Sequence, residues 1–164
     1  MAIFIYNNLH ILIDMRCLFL IVFISFVSVV TAREKETLMY EISCAGNAAG
    51  YYVVEVSAYV SKKKEISDDV VKKCALHGVL FKGFSGENGC HSQKQLLTSY
   101  DIKHSAFIDK LISLEYGKYA ETIGIPLKVI KQAKRYKVTT VIQVAKDLLR
   151  KDLEKAGIIR KLGF

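Results

Sequence analysis

The chain lacks most of the sequence features that would assign an activity. It has no tryptophan, one proline and four cysteines among 164 residues. It also lacks internal repeats and low-complexity segments, which argues against solenoid, fibrous and disordered classes. No P-loop, nucleophile elbow or paired zinc-ligand spacing is present. These absences favour a non-enzymatic protein, so we assign no catalytic residue, no metal ligand and no cofactor.

The N-terminal segment is typical of a secretory signal peptide. Arg16 precedes the uncharged apolar run Cys17–Val30, and Ala32 closes a cleavage site of small residues. A run of about 14 residues is short for a transmembrane helix, which needs about 20. We therefore predict a signal peptide over residues 1–32, with translation beginning at Met1 or Met15, and a periplasmic or secreted protein. The alternative is an uncleaved N-terminal anchor.

The mature chain, residues 33–164, has the length of a single domain. That length is sufficient for one hydrophobic core without a metal or disulfide framework. No stretch within it is long and apolar enough to span a bilayer after processing.

Acidic residues are scarce in the C-terminal part of the chain. Residues 33–126 contain 12 basic and 12 acidic residues, whereas residues 127–164 contain 11 basic and 3 acidic residues. This asymmetry predicts a basic C-terminal face that binds an anionic envelope component or an acidic protein partner. The alternative is a lysine-rich surface that is simply solvated. The candidate anion-binding residues are Lys128, Lys131, Lys134, Arg135, Lys137, Arg150, Lys151, Arg160 and Lys161.

Nucleic acid is a poor candidate for that partner. The basic segment lacks the regular aromatic interleaving of a platform for single-stranded nucleic acid. The predicted export of the chain argues in the same direction.

Three cysteines follow the predicted cleavage site: Cys44, Cys74 and Cys90. Three pairings are open to them in an oxidising compartment. Cys74 falls on the apolar face of a predicted helix, and as a small buried hydrophobe it would leave Cys44 and Cys90 to form a disulfide. The alternative function is an envelope enzyme or metal site on the loop of residues 85–100, built from Cys90 and His91 with His77.

The first half of the domain predicts a strand hairpin followed by a helix. Strands over Leu38–Cys44 and Tyr51–Val60 are joined by a short glycine-containing turn. Ser67 is placed to cap a helix that Gly78 ends, with His77 near the last carbonyls. Val79–Phe84 is then predicted to form a strand parallel to Tyr51–Val60, reached by a right-handed crossover.

The second half predicts two helices around a second hairpin. A helix over Ile102–Tyr116 turns Phe107, Ile108, Leu111, Ile112 and Leu114 inward, and strands Leu127–Gln132 and Tyr136–Val144 meet at a Lys134-Arg135 turn. A last helix, Lys146–Ala156, buries Leu148, Leu149 and Leu153 and stops at Gly157. The fold class is therefore α+β, a two-layer sandwich with a mixed sheet of about five strands and about three helices on one face.

Three stretches carry a resemblance to known sequences. They are YEISCAGNAAGYYVVEV, KKCALHGVLFKGFSGENGCHSQK and VAKDLLRKDLEKAGIIRKLGF. Together they resemble an uncharacterised family of small exported proteins of gut-type Gram-negative bacteria. The resemblance covers most of residues 40–164 and implies export to the envelope and a single domain; it implies no activity.

Overall fold

The computed structural model describes residues 38–87, 89–98, 104–124 and 126–161. The predicted signal peptide, residues 1–32, lies outside these ranges. The strands are β1 (Tyr40–Ala48), β2 (Tyr51–Val60), β3 (Ala120–Thr122), β4 (Lys128–Gln132) and β5 (Arg135–Ala145). The helices are α1 (Asp68–Phe81), α2 (Ser105–Ser113), α3 (Tyr116–Tyr119) and α4 (Lys146–Lys155), with a 3₁₀ turn at Lys63–Glu65.

The strands form one five-stranded sheet, which confirms the predicted α+β class. The order is β1-β2-β5-β3, and β4 pairs with β5 beside β3. Every pairing among the five strands is antiparallel, so the prediction of a mixed sheet is wrong. Alternate residues of β5, from Val138 to Val144, are buried under the helices, while the residues between them are partly exposed on the opposite, open face.

The β1–β2 hairpin is longer than predicted. Its register runs from the Tyr40–Ala58 pair to the Ala48–Tyr51 pair, so only Ala49 and Gly50 form the turn. Gly50 has a φ of 76°, which suits a two-residue hairpin turn. The predicted glycine-containing loop is therefore mostly strand, with a register shift between Cys44 and Gly46.

Helix α1 begins as predicted and ends later. The Ser67 hydroxyl accepts a hydrogen bond from the Val70 amide at 3.3 Å, which is an N-cap. The helix then continues through Gly78 to Phe81, so the predicted strand Val79–Phe84 and its parallel crossover are wrong.

Gly78 lies inside α1 because the helix packs closely on β1. A Cβ atom at this position would lie 2.6 Å from Ile42 Cδ1 and 3.2 Å from Tyr40 Cε2. The helix ends instead at Phe81, and Gly83, whose φ is 70°, follows it and donates its amide to the Gly78 carbonyl. The amides of Leu96 and Leu97 then donate to the carbonyls of Val79 and Leu80.

The second half of the domain contains the predicted helices and hairpin with shifted boundaries, and two elements that were not predicted, α3 and β3. Ile108 and Leu111 of α2 are buried and Phe107 and Ile112 are half-buried, whereas Leu114 is 73% exposed because α2 ends at Ser113. The β4–β5 turn consists of Ala133 and Lys134, not of Lys134 and Arg135, since Gln132 pairs with Arg135.

Helix α4 matches its prediction closely. Leu149 and Leu153 are buried, but Leu148 is exposed, which corrects its predicted inward position. Gly157 ends the helix with a φ of 72°, and the Ile158 amide donates to the Leu153 carbonyl at 3.0 Å. The Gly157 amide donates to the backbone carbonyl of Glu154, which completes a Schellman motif.

Candidate functional site

The predicted disulfide between Cys44 and Cys90 is present. The Cα atoms of Cys44 and Cys90 are 6.0 Å apart, and the bond joins β1 to the loop that follows α1. Cys74 is buried in α1 and takes no part in the bond, as its position on the apolar face predicts. The thiol chemistry that an enzyme would need at Cys90 is therefore absent from the oxidised protein.

Asn47 holds the same loop through its side-chain amide. Its Nδ2 donates to the Gly89 carbonyl at 2.9 Å, and its Oδ1 accepts from the His91 amide at 3.2 Å. The Cys44 amide donates to the Ser85 carbonyl at 2.9 Å. Backbone, side chain and disulfide together tie the loop to the edge of β1.

A cavity of about 350 Å³ lies beside the disulfide. Tyr51, His91 and Lys146 are among its lining residues, whereas His77 is not. Within the ranges that the structure describes, no group of three His, Cys, Asp or Glu side chains is arranged to hold a metal ion. Of the two histidines of the alternative site, His91 therefore lines this cavity and His77 lies elsewhere, on α1.

His77 was predicted near the last carbonyls of the helix, but α1 continues to Phe81 and His77 instead contacts Tyr40. Its Nδ1 lies 2.6 Å from the Tyr40 hydroxyl, which joins α1 to β1. Burial, with a contribution from nearby Cys74, raises the pKa of Tyr40. Lys82 adds a cation over the Tyr40 ring, 3.9 Å from its centroid, and donates to the Tyr40 carbonyl.

The structure gathers basic residues from two distant segments at one end of the sheet. β2 ends at Val60, which pairs with Tyr136 near the start of β5. The lysines that follow β2 therefore lie at the same end as the β4–β5 turn. We call this group the basic sheet end; it consists of Lys62, Lys63, Lys64, Lys128, Lys131, Lys134 and Arg135, all of them exposed.

Few acidic groups oppose the basic sheet end. Residues 61–66 and 128–137 contain one acidic residue, Glu65. Its carboxylate accepts hydrogen bonds from the backbone amides of Ser61 and Lys62, at 3.2 and 3.0 Å. The Glu65 carboxylate is thus hydrogen-bonded to the backbone, and Lys62, Lys63 and Lys64 are exposed beside it.

Lys137 is the predicted candidate that is most fully engaged within the protein. Its Nζ lies 3.0 Å from Glu41 Oε2, and the Tyr59 hydroxyl donates to Glu41 Oε1 at 2.8 Å. The hydrogen bonds from Lys137 and then Tyr59 lower the pKa of Glu41, and the same pairing raises the pKa of Lys137. Lys137 therefore contributes less free charge than its neighbours.

The remaining candidates lie away from the basic sheet end. Arg150 and Lys151 belong to α4, which follows the far end of β5. A strand of 11 residues spans about 35 Å, so one small ligand cannot contact both groups. Arg160 and Lys161 follow α4 and are exposed.

Helix α4 also carries three acidic residues beside its four cations. Arg150 Nε lies 3.0 Å from Glu154 Oε1, and Asp152 Oδ2 accepts from Lys118 Nζ at 2.5 Å. The Tyr119 hydroxyl donates to the same Asp152 oxygen at 2.8 Å. The candidate cations of the C-terminal part are therefore divided between the β4–β5 turn and α4 with the residues that follow it.

The comparisons add no relative. No family model, no curated protein and no solved structure matches the chain. The resemblance to small exported proteins stays a prediction.

Lys62, Lys63 and Lys64 are the site residues that the sequence analysis missed. They belong to the half of the chain whose charges balance, and about 70 positions separate them from the β4–β5 turn. Their signal was a lysine triplet placed directly after the clearest strand. Only the antiparallel pairing of β2 with β5 brings that triplet to the turn.

Proposed function

We propose that this chain is an exported, non-enzymatic protein that binds an anionic component of the cell envelope through the basic sheet end. The observation that carries the proposal is the convergence of seven exposed cations from two segments that contain one acidic residue. Such a concentration of like charge raises the local concentration of an anionic partner and steers its approach.

Export is supported by the sequence and by one feature of the fold. The Cys44–Cys90 bond suits an oxidising compartment, because reducing systems keep cytosolic thiols reduced. Among the described residues, none of the helices has the length and apolar character needed to cross a membrane. Mass spectrometry of the purified protein tests the export step. The expected mature chain begins at Arg33, and an intact N-terminus in protein from the cytoplasm would contradict it.

Binding to isolated envelopes tests the interaction itself. The exposed charges of the basic sheet end are screened by salt, so the bound fraction should fall steeply between about 50 and about 500 mM salt. Replacing the triplet, as Lys62→Gln, Lys63→Gln and Lys64→Gln together, should weaken envelope binding. Binding that is insensitive both to salt and to this replacement would refute the proposal.

A further inference from the structure

Large apolar side chains are exposed within the basic sheet end. Met39, Val129 and Ile130 are 47, 43 and 43% exposed. Val129 and Ile130 stand between Lys128 and Lys131 in β4, and Met39 Sδ lies 2.9 Å from Arg135 Nη1. The cations thus surround apolar groups that the fold leaves uncovered.

The position of β4 presents these apolar groups at the rim of the sheet. Within the part of the chain that the structure describes, β4 pairs with β5 and with no other strand. Ile130 lies opposite Lys137 on the open face, whereas Val129 lies opposite Val138 on the face that the helices cover. The rim therefore has an apolar side chain on each side and a lysine before and after them.

The chain also enters the domain at this end. Tyr40, the first residue of β1, pairs with Ala58 near the end of β2, so Leu38 and Met39 lie beside the basic sheet end.

The geometry points to an anionic lipid bilayer as the partner of the basic sheet end. This inference rests on the proposed function and names its ligand. A surface that combines Lys and Arg with exposed apolar side chains binds at the headgroup boundary, where cations meet lipid phosphates and apolar groups enter the acyl region. A polyanion without an acyl region would leave Met39, Val129 and Ile130 without a favourable environment.

Vesicle binding by charge variants is the first test. The protein is expressed from its full sequence, purified as the cell leaves it, and titrated with phosphatidylcholine vesicles containing about 30% phosphatidylglycerol. Each lysine near an anionic surface contributes about fivefold to the affinity. The triple variant Lys62→Gln, Lys63→Gln and Lys64→Gln should therefore bind on the order of 100-fold more weakly.

A matched control removes the same charge from the far end of the molecule. Lys146, Lys151 and Lys155 are exposed, and replacing all three with Gln changes the net charge equally. This variant should lose less than about tenfold in vesicle affinity, since these lysines lie about a strand length beyond the headgroups and well past the screening distance. Equal losses in the two triple variants would overturn the inference.

The second test separates lipid from other polyanions. The double variant Val129→Thr and Ile130→Thr keeps β-branched side chains that suit a strand but removes apolar surface. We expect about tenfold weaker binding to the anionic vesicles and unchanged binding to heparin, a soluble polyanion. Equal effects on vesicles and heparin, or none on either, would contradict insertion into lipid.

The outcomes distinguish this inference from the function on which it rests. Binding to isolated envelopes without binding to protein-free anionic vesicles would leave the proposed function intact and refute the lipid partner. Loss of both would refute both. Light scattering without lipid measures the molar mass and completes the test. If the parent protein is a dimer and the Ile130→Thr variant is a monomer, the β4 rim binds a second copy of the chain instead.

Discussion

Removing the Cys44–Cys90 disulfide should cost a large part of the stability of the domain. The two cysteines are 46 positions apart, and the chain between them contains β2 and all of α1. The chain-entropy relation gives about 4 kcal/mol for closing a loop of this size. Measured disulfide contributions usually reach about 2–4 kcal/mol, so we expect a loss in that range.

The double variant Cys44→Ser and Cys90→Ser is the appropriate perturbation, because either single variant leaves a reactive thiol. Urea unfolding followed by circular dichroism measures the change in the free energy of unfolding. Chemically reduced parent protein is the matched control, since it loses the bond without a substitution, and both samples should unfold at a similarly lower urea concentration.

Amide hydrogen exchange locates the effect within the structure. The His91 amide, which donates to Asn47, should exchange faster in the double variant, because the disulfide next to it no longer fixes the loop. A variant whose unfolding free energy stays within about 0.5 kcal/mol of the parent would refute the reasoning, because that falls well below the usual contribution of about 2–4 kcal/mol.

Three further substitutions test the packing, the turn and the acid stability. Gly78→Ala should lose about 1–2 kcal/mol in urea unfolding, because the new methyl would meet Ile42 Cδ1 at 2.6 Å and Tyr40 Cε2 at 3.2 Å, which outweighs the higher helix propensity of alanine; a gain of about 1 kcal/mol, the propensity difference alone, would mean that α1 does not pack closely on β1. Ala133→Gly should gain about 0.5–1 kcal/mol, because Ala133 has a φ of 50°; a lower melting temperature would contradict this turn. In the Asp152→Asn variant, the free energy of unfolding should fall less below pH 4 than it does in the parent protein. Hydrogen bonds from Lys118 and then Tyr119 lower the pKa of Asp152, so its contribution is complete above the unfolded-state pKa and disappears as the pH falls through the folded-state value. Parallel stability–pH curves for parent and variant would argue against that role.

Residue preferences and hydrophobic spacing predicted the elements in which the local preference agrees with the tertiary packing. β2 has the predicted boundaries, because its β-branched and aromatic residues favour a strand. α4 differs by one residue, because its buried leucines recur at helical spacing and Gly157 ends the helix. The disulfide followed from burial of Cys74, which left Cys44 and Cys90 to pair.

The prediction failed where a tertiary contact overrides a local preference. Gly78 is a natural helix stop when only its neighbours in sequence are considered, and Val79-Leu80-Phe81 is a short apolar run that suits a strand or a helix equally. The close approach of α1 to Ile42 and Tyr40 decides the matter, and no sequence window contains both partners. The parallel crossover and the mixed sheet depended on that single assignment.

The candidate site was predicted in part for a similar reason. The excess of positive charge near the β4–β5 turn is visible in the sequence, but its separation from α4 depends on the length and direction of β5. The contribution of the lysine triplet depends on the pairing of β2 with β5. Charge can be counted along the chain, whereas the surface it forms is set by strand register.

The most direct test of the membrane-binding account is a residue-resolved map of the bound protein. Nuclear magnetic resonance spectra would be recorded with anionic nanodiscs that carry a spin label on their headgroups. The account predicts that amides of residues 62–64 and 128–135 broaden first, while those of α4 keep their intensity. Broadening that is strongest in α4, or uniform over the domain, would contradict the assignment of the basic sheet end as the membrane-facing surface.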